Sequence, residues 1–343
     1  MYRAGSWRLI AIAMTLAACF VMAGPAGAQT LAQIKQRGIL NCGVDTGAPG
    51  FAVKDDKGKW AGLDVDFCRA IAIVAVGDPD KVNYVPLTAK VRFTALQNGE
   101  IDVLIRDSTL TFTRGTQLKL DLVGVNFYAG QGFMVKKSLN AKGVKDLSGA
   151  TICVITGATL ELNIADYNRA NSVNIGTLLF EKLDEATVAL DAGRCDGYTD
   201  DTGSLAGARS SMKKPDDWVV LAEVISKEPL GILTRQGDQQ WSNIAKWILN
   251  AMITAEEVGI TQANVDELAK KSDNPEIRRI LGLEGDFGKM LGVENDWAAK
   301  AIKTAGNYGE VYERHFGAKG LQLPRGVNNL WTKGGLMYSY PFR

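Results

Sequence analysis

Two short polar segments follow predicted strands and contain residue types that bind a small charged molecule. Thr109-Leu110-Thr111-Phe112-Thr113-Arg114 follows a predicted strand at 101–105, and Thr156-Gly157-Ala158-Thr159 follows one at 151–155. Open α/β sheets bind ligands beyond the carboxyl ends of their strands. Hydroxyl groups, free backbone N–H groups and the Arg114 guanidinium all suit an anion such as a carboxylate. The alternative for the first segment is a helix cap beside a solvated arginine.

A pair of carboxylates occupies a comparable position in the second half of the chain. Asp200 and Asp201 follow a predicted strand at 195–199. A buried carboxylate beyond a strand end suits a ligand ammonium group, and the alternative is a surface turn or cap. With Arg114, these residues predict a cationic contact from one half and an anionic contact from the other. That combination is typical of a site for a zwitterionic α-amino acid.

Metal and cofactor motifs are weak. Asp64-Val65-Asp66 resembles a pair of metal ligands, but no further oxygen ligands follow at the spacing of a calcium loop, so helix capping is the better interpretation. Gly130-Gln131-Gly132 lacks the third glycine and the following helix of a dinucleotide-binding loop. The single histidine, His315, leaves out His-rich metal sites. We therefore expect no metal, no cofactor and no enzymatic activity.

The composition excludes other classes of function. The chain has 343 residues, of which 46% are apolar, so it can bury a core large enough for one or two domains. Its 39 basic residues nearly balance its 38 acidic residues, and there is no long basic run. Nucleic-acid binding relies on concentrated positive charge, so we do not expect it.

Residues 1–28 have the pattern of a secretory signal peptide. Two arginines precede an apolar stretch that ends in small residues at Ala28. Cleavage after Ala28 removes both positive charges and no negative ones, so the formal net charge changes from +1 to −1. This predicts a soluble periplasmic protein, and the alternative is a lipoprotein anchored through Cys19. The longest later apolar run, 70–76, is too short to span a bilayer.

Alternating strand and helix patterns predict an α/β fold with parallel strands. Strands are predicted at 39–44, 82–85, 101–105, 151–155, 178–180 and 195–199, and helices at 31–37, 63–76, 90–97, 184–192, 241–252 and from 160 onward. The second half repeats the element order of the first. The pattern A-L-x-x-G-x-x-D also occurs twice, at 95–102 and 189–196. We interpret the halves as two similar lobes.

Two connecting segments, at 127–133 and 226–231, suggest how the lobes are joined. Because the chain continues after the second segment, we expect lobe 2 to be inserted into lobe 1. The predicted division is 29–127 and 231–343 for lobe 1 and 132–225 for lobe 2, with hinges near 128–131 and 226–230.

Four cysteines remain after the predicted cleavage, and an even number in an oxidising compartment predicts two disulfides. They are Cys42, Cys68, Cys153 and Cys195, which allow three pairings. Pairing within each lobe, Cys42 with Cys68 and Cys153 with Cys195, would leave the lobes free to move against each other.

Several segments together identify a family resemblance. They are Asn41-Cys42-Gly43-Val44, Gly62-Leu63-Asp64-Val65-Asp66-Phe67-Cys68, Arg92-Phe93-Thr94-Ala95-Leu96-Gln97, Gly130-Gln131-Gly132-Phe133-Met134-Val135 and Gly334-Gly335-Leu336-Met337-Tyr338-Ser339-Tyr340-Pro341-Phe342-Arg343. From about residue 30 to residue 343, the chain resembles the family 3 solute-binding proteins of ABC transporters, in the periplasmic general L-amino-acid-binding branch. The resemblance implies a two-lobed type II periplasmic binding protein, each lobe a sheet flanked by helices, joined by a two-strand hinge.

The resemblance also implies ligand, partner and site residues. A monomer would capture an L-amino acid between its closing lobes and deliver it to an inner-membrane ABC permease. Arg114 would hold the α-carboxylate, assisted by Thr109 and Thr159, and Asp201 would hold the α-ammonium. The full set of predicted ligand-binding residues is Arg114, Thr109, Asp201, Thr159, Asp107, Asp64, Gly157 and Arg92.

Two departures from the branch concern specificity. Relatives usually read Asn-Thr-Thr-Trp-Thr where this chain has 107–111, which begins with Asp107, and they tend to have Thr where it has Asp200. Two added negative charges near a pocket disfavour an anionic ligand side chain. This predicts a shift in ligand preference from aspartate and glutamate toward neutral or cationic amino acids.

The alternative functions are a small-acid dehydratase on the same fold and a sensor input module.

Overall fold

A computed structural model describes residues 29–343. The predicted signal peptide, including Cys19, lies outside the described residues. The strands are β1 (Leu40–Asp45), β2 (Val53–Lys54), β3 (Trp60–Ala61), β4 (Val82–Leu87), β5 (Val103–Thr109), β6 (Leu120–Ala129), β7 (Gln131–Lys136), β8 (Thr151–Ile155), β9 (Gly176–Phe180), β10 (Gly197–Asp201), β11 (Trp218–Val220) and β12 (Glu228–Arg235). The helices are α1 (Thr30–Arg37), α2 (Leu63–Val76), α3 (Arg92–Gln97), α4 (Phe112–Thr116), α5 (Leu160–Asn171), α6 (Leu183–Asp191), α7 (Thr202–Ser211), α8 (Gln239–Glu257), α9 (Val265–Lys271), α10 (Pro275–Ile280), α11 (Phe287–Leu291), α12 (Trp297–Ala305) and α13 (Tyr308–His315). The predicted strands and helices are present, with boundaries that differ by a few residues.

Two mixed five-stranded sheets carry the fold, in the orders β4-β1-β5-β12-β6 and β11-β7-β10-β8-β9. β1 runs parallel to β4 and β5, and β8 runs parallel to β9 and β10. β12 is antiparallel to β5 and β6, and β7 is antiparallel to β10 and β11. The prediction of parallel strands is therefore wrong for the strands next to the junction of the sheets. There, β12 returns from the second sheet and inserts between β5 and β6 in the opposite direction.

We call the part built on the first sheet lobe 1 and the part built on the second sheet lobe 2. Strands of the first sheet come from 40–129 and 228–235, whereas all strands of the second lie within 131–220. The chain thus enters lobe 2 after β6 and returns to lobe 1 at β12, in the order expected for an insertion. The residue limits predicted for the lobes and hinges stay a prediction.

One apolar core joins the first sheet to α2, α8, α12 and α13. α8 buries Trp241, Ile244, Ile248 and Met252, whose spacing places them on one helix face. Residues 254–293, predicted only as charged and helical, form the end of α8 and the short helices α9, α10 and α11. Between residues 29 and 343, no helix has both the length and the apolar character required to cross a bilayer.

The repeated A-L-x-x-G-x-x-D pattern has the same structural role in both lobes. The glycine of each copy has a positive φ, 79° and 70°, which residues with a side chain rarely adopt. Three residues later, Oδ2 of Asp102 accepts a hydrogen bond from the N–H of Asn41 in β1, at 2.8 Å. Oδ2 of Asp196 accepts one from the N–H of Thr151 in β8, also at 2.8 Å. The likeness in sequence therefore reflects one way of fixing a parallel strand of each lobe, β1 in lobe 1 and β8 in lobe 2.

Both disulfides link residues of the same lobe. Cys42 in β1 is bonded to Cys68 in α2, with Cα atoms 6.1 Å apart, and Cys153 in β8 is bonded to Cys195, with Cα atoms 5.7 Å apart. This is the pairing predicted within lobes. Neither of these bonds restricts the motion of one lobe against the other.

Each disulfide should stabilise its own lobe. Replacing Cys42 and Cys68 by serine, or Cys153 and Cys195, removes a cross-link over 26 or 42 residues and should lower the free energy of unfolding by about 3–4 kcal/mol, because the unfolded chain is less restricted. Urea unfolding of each double variant measures this. A loss below about 1 kcal/mol, or a peptide map showing a link between the lobes, would contradict the prediction.

Candidate functional site

The strand ends of both lobes face a cleft between them. β1 ends at Asp45, β5 at Thr109 and β10 at Asp201, and all three residues line the cleft with Thr159, which precedes α5. Ligands of α/β sheets bind beyond strand ends, so this is the expected place for a site. The polar lining comprises Asp45, Thr46, Arg92, Arg106, Asp107 and Thr109 from lobe 1 and Thr159, Glu181, Lys182, Tyr198, Asp200, Asp201 and Ser204 from lobe 2.

A buried carboxylate at the start of β12 joins the lobes beside the cleft. Glu228 is 2% exposed. Its Oε2 accepts hydrogen bonds from the hydroxyls of Thr109 in lobe 1, at 2.5 Å, and Thr159 in lobe 2, at 2.9 Å. Its Oε1 accepts from Nδ2 of Asn163 at 2.7 Å and from Oγ of Ser226 at 2.6 Å. Because a hydroxyl has one proton, both threonines then offer a ligand only their lone pairs.

The lobes also meet directly across the cleft. Nζ of Lys90 in lobe 1 forms an ion pair with Oε1 of Glu181 in lobe 2, at 2.7 Å. Gly157 lies against the backbone of Lys90, where a Cβ would come within 3.1 Å of the Lys90 N and Cα atoms. A glycine at this position permits the close approach of the lobes.

Three buried polar atoms in the cleft have no hydrogen-bond partner within residues 29–343. They are Nε of Arg92 in lobe 1 and Oδ1 of Asp201 and Oγ of Ser204 in lobe 2. Arg92 is 2% exposed and Asp201 is 5% exposed. A buried donor or acceptor without a partner is costly, and native proteins retain few of them. These atoms mark a cationic and an anionic wall of one cleft.

Arg92 in the cationic wall shares one aromatic ring with a second arginine, Arg114, which does not itself line the cleft. The guanidinium groups of Arg92 and Arg114 each lie 4.7 Å from the Phe93 ring centroid. Nη1 of Arg114 also donates to the carbonyl of Thr109. Burial lowers the pKa of Arg92, and the charges of Arg106 and Arg114 lower it further. An anion placed near Arg92 would relieve this repulsion.

A third arginine is already paired. Nη2 of Arg106 forms an ion pair with Asp45, and its Nη1 lies 2.8 Å from Oδ1 of Asp107. Across the cleft, Oδ2 of Asp200 accepts a hydrogen bond from the hydroxyl of Tyr198. The two carboxylates on which the predicted ligand charge depends, Asp107 and Asp200, are therefore both engaged by neighbouring side chains.

Asp64 lies behind the cleft and holds its wall in place. Its Oδ2 accepts a hydrogen bond from the N–H of Asp107 at 3.1 Å, and its Oδ1 accepts one from Nδ2 of Asn126 at 3.0 Å. Burial, together with the charge of Asp107, raises the pKa of Asp64 to about 8. The predicted alternative of a metal pair is not supported, because Asp66 pairs with Arg314 and His315.

The structure brings most of the predicted site together. Five predicted residues line the cleft, namely Arg92, Asp107, Thr109, Thr159 and Asp201. Arg114 and Asp64 lie behind its wall, and Gly157 lies where the lobes touch. Their roles toward a ligand stay a prediction.

Three buried charged residues of the site were missed in the sequence, as were the exposed Glu181 and Lys182. Asp45 ends a strand, as Thr109 and Asp201 do, so the strand-end rule could have found it. Arg106 follows the apolar run 103–105, where a charged side chain requires a partner. Glu228 lies within the predicted hinge near 226–230, but nothing in the sequence indicates that it accepts hydrogen bonds from both lobes.

The family described as bacterial extracellular solute-binding proteins, family 3, matches residues 40–264. The chain belongs to this family. It is 52% identical to the general L-amino acid-binding periplasmic protein AapJ of Rhizobium johnstonii, over 98% of this chain and 99% of that protein. It is 51% identical to the glutamate/glutamine/aspartate/asparagine-binding protein BztA of Rhodobacter capsulatus, over 96% of this chain and 98% of that protein.

A solved structure supports the same membership. It is an ABC transporter periplasmic binding protein from Brucella ovis with glutathione bound, 53% identical to this chain. The match has a TM-score of 0.90 and covers 92% of this chain and 100% of that one. The type II periplasmic binding protein fold predicted from the resemblance is confirmed.

The Glu228 contacts should contribute strongly to stability. Glu228→Ala leaves the donors of Thr109, Thr159 and Asn163 without their acceptor and should lower the free energy of unfolding by about 2–4 kcal/mol. Urea unfolding of wild type and of Glu228→Ala measures this difference in the free energy of unfolding. Glu257→Ala is the matched control, because Glu257 is exposed, and it should change stability by less than about 0.5 kcal/mol. A Glu228→Ala variant as stable as the control would contradict the prediction.

Stability should fall as the pH rises from 5 to 8. The folded protein holds a proton on Asp64, whose pKa is raised to about 8, up to a higher pH than the unfolded chain does, so raising the pH favours unfolding. In Asp64→Asn the side chain does not titrate, and the Asn126 amide can turn to pair with it. The decline from pH 5 to 8 should be smaller in this variant by at least about 1 kcal/mol. Equal declines in urea unfolding would refute this assignment.

Proposed function

We propose that this protein binds an L-amino acid between its two lobes and delivers it to the permease of an ABC transporter. The observation that carries the proposal is that Arg92 of lobe 1 and Asp201 of lobe 2 line one cleft, and that Nε of Arg92 and Oδ1 of Asp201 lack a hydrogen-bond partner within residues 29–343. A zwitterion has a carboxylate that can accept a hydrogen bond from Arg92 and an ammonium group that can donate one to Asp201. The names of AapJ and BztA, which bind amino acids, support the same ligand class.

The ligand α-carboxylate would lie at the cationic wall. Arg114 is the residue that the family resemblance assigns to it, and Arg92 lies beside Arg114 on the same aromatic ring. A guanidinium binds a carboxylate through two parallel hydrogen bonds. Arg92 is then available either to the same group or to an acidic side chain of the ligand.

The α-ammonium would lie at the opposite wall, next to Asp201. Burial and the charges of Asp200 and Glu228 raise the pKa of Asp201 well above its ordinary value, and a cation beside it would favour its ionised form. The hydrogen bonds to Glu228 support acceptor roles for the hydroxyls of Thr109 and Thr159. We therefore assign these hydroxyls to the ammonium, and not to the carboxylate as the resemblance implies.

The remaining parts of the proposal concern transport. The protein would be exported by the signal at 1–28, remain soluble in the periplasm and work as a monomer. Lobe 1 and lobe 2 are linked by two strand connections and by no disulfide among the described cysteines. This supports rigid-body closure of the lobes on the ligand.

A dehydratase is the second candidate, and one observation favours it. Burial raises the pKa of Asp200, which lines the cleft, to about 7. A group with this pKa suits general acid catalysis. However, Asp200 accepts hydrogen bonds from the Tyr198 hydroxyl and the N–H of Asp201, which occupies it with neighbours. We therefore propose that the protein releases its ligand unchanged, and that it is not an enzyme.

Removing one charge from either partner should weaken binding strongly. Arg114→Ala and Asp201→Asn should each reduce the affinity for an amino acid by about 30-fold to several thousand-fold, because each leaves a buried charge of the ligand unpaired. Titration calorimetry with a panel of L-amino acids measures this. The α-amide and the α-deaminated analogue of the tightest ligand should show losses of the same order.

Controls separate this result from general damage. Arg69→Ala and Asp80→Asn remove a surface ion pair of lobe 1 and should bind within about threefold of wild type. Arg114→Ala or Asp201→Asn binding that well would remove the residue from the site. Conversion of the ligand during prolonged incubation, followed by NMR, would favour the dehydratase.

A further inference from the structure

A guanidinium of the protein itself occupies the acidic part of the cleft. Arg106, in β5, is 6% exposed. Its Nε donates to the carbonyl of Leu87 at 3.0 Å, its Nη1 donates to Oδ1 of Asp107 at 2.8 Å, and its Nη2 pairs with Asp45. Arg106 and both carboxylates line the same cleft as Arg92 and Asp201. This ion-pair cluster therefore lies within reach of a bound ligand.

A carboxylate of lobe 2 adds negative charge to the same cleft. Asp200 lines it together with Arg106 but forms no hydrogen bond or ion pair with Arg106 within residues 29–343; its hydrogen bonds are with Tyr198 and Asp201. Burial lowers the pKa of Arg106, but the charges of Asp107, Asp45 and Asp200 outweigh burial and raise it above its ordinary value. Asp45 and Asp107 of lobe 1 thus contact a single guanidinium, as they would contact the cationic side chain of a ligand, and Asp200 of lobe 2 contributes to the same field.

The backbone holds this acidic subsite in its shape. Asp107 has a φ of 30°, a region that residues with a side chain rarely adopt. The N–H of Asp107 donates to Asp64, whose side chain is buried behind the cleft. Such strain persists only where the surrounding structure enforces it, and it is concentrated at ligand sites. The position of the Asp107 carboxylate is therefore fixed by the fold.

We propose that Arg106 is a specificity-determining residue that fills this acidic subsite and thereby excludes amino acids with a cationic side chain. The inference rests on the proposed function. Asp45, Asp107 and Asp200 would hold an ammonium or guanidinium group if Arg106 did not already neutralise them. A lysine or arginine ligand meets the like charge of Arg106 instead, which rejects it by repulsion.

The inference changes the specificity expected from the sequence. The sequence predicted a preference for neutral or cationic amino acids, because it treated Asp107 and Asp200 as free negative charges. In the structure, Asp107 pairs with Arg106 and Asp200 accepts a hydrogen bond from Tyr198. Neutral side chains remain acceptable, because they meet no charge of the same sign. Acidic side chains are acceptable as well, because Arg92 offers them a cation in the same cleft.

The test compares wild type, Arg106→Ala and Arg106→Lys by titration calorimetry with L-glutamine, L-arginine and L-lysine. We expect wild type to bind L-glutamine at least about 30-fold more tightly than either cationic amino acid. Arg106→Ala should bind L-arginine at least about tenfold more tightly than wild type does. Arg106→Lys keeps the positive charge and should reject both cationic ligands, as wild type does.

A second measurement applies even to a destabilised variant. Millimolar ethylguanidinium supplies the missing side-chain fragment and should raise the Tm of Arg106→Ala more than that of wild type. Ethylurea, which has a similar shape and no charge, should have no such effect. Equal shifts with both compounds would overturn the inference.

The outcomes distinguish the inference from the function on which it rests. Wild type that binds L-arginine as tightly as L-glutamine, or Arg106→Ala that binds L-glutamine without any gain for L-arginine, would overturn the role of Arg106 alone. Wild type that binds no amino acid in the panel would overturn the proposed function itself.

Discussion

The Glu228 carboxylate is the point at which both lobes and their connecting strand meet. It accepts hydrogen bonds from Thr109 of lobe 1 and from Thr159 and Asn163 of lobe 2. A buried carboxylate has to be fully hydrogen-bonded, because it has lost its water. This requirement fixes the direction of both threonine hydroxyls, and with it the acceptor groups that the cleft presents. The register of β12 between β5 and β6 places Glu228 at this junction.

Around this junction, the cleft is organised by the balance of buried charge. Arg106 pairs with Asp45 and Asp107, whereas within residues 29–343 Arg92 and Asp201 retain polar atoms without partners. In the proposed function, the first group is complete within the protein and the second is completed by a ligand of both charges. The cleft would then contain a part that the protein fills itself and a part that selects a zwitterion. Burial of all these groups increases the strength of each interaction and the cost of each mismatch.

Much of the site followed from where polar residues stand relative to strands. Thr109, Thr159 and Asp201 were found because strand ends of α/β sheets meet at one edge. The predicted role of the two threonines toward the ligand carboxylate did not follow in the same way. That role depends on the acceptor to which each hydroxyl already donates its proton. Asp64 was predicted as a ligand-binding residue, but it contacts Asp107 and Asn126 behind the cleft. Residue type and position in the sequence do not indicate whether a side chain lines the cleft or packs behind the residues that line it.

The sequence by itself determined the α/β class, the two similar lobes, the expectation of two disulfides among four cysteines and the strand ends at which we place the site. These follow from local periodicity, from composition and from a repeat whose aspartates, Asp102 and Asp196, have equivalent partners. Only the tertiary structure decided the mixed direction of the sheets, the role of Glu228 and the pairing of Arg106. Each of these depends on contacts between residues far apart in the chain, such as Thr109 with Glu228. The contacts of Glu228 arise from the return of the chain across the junction, and the pair of Arg106 with Asp45 arises from the placement of β1 beside β5, neither of which a local pattern records.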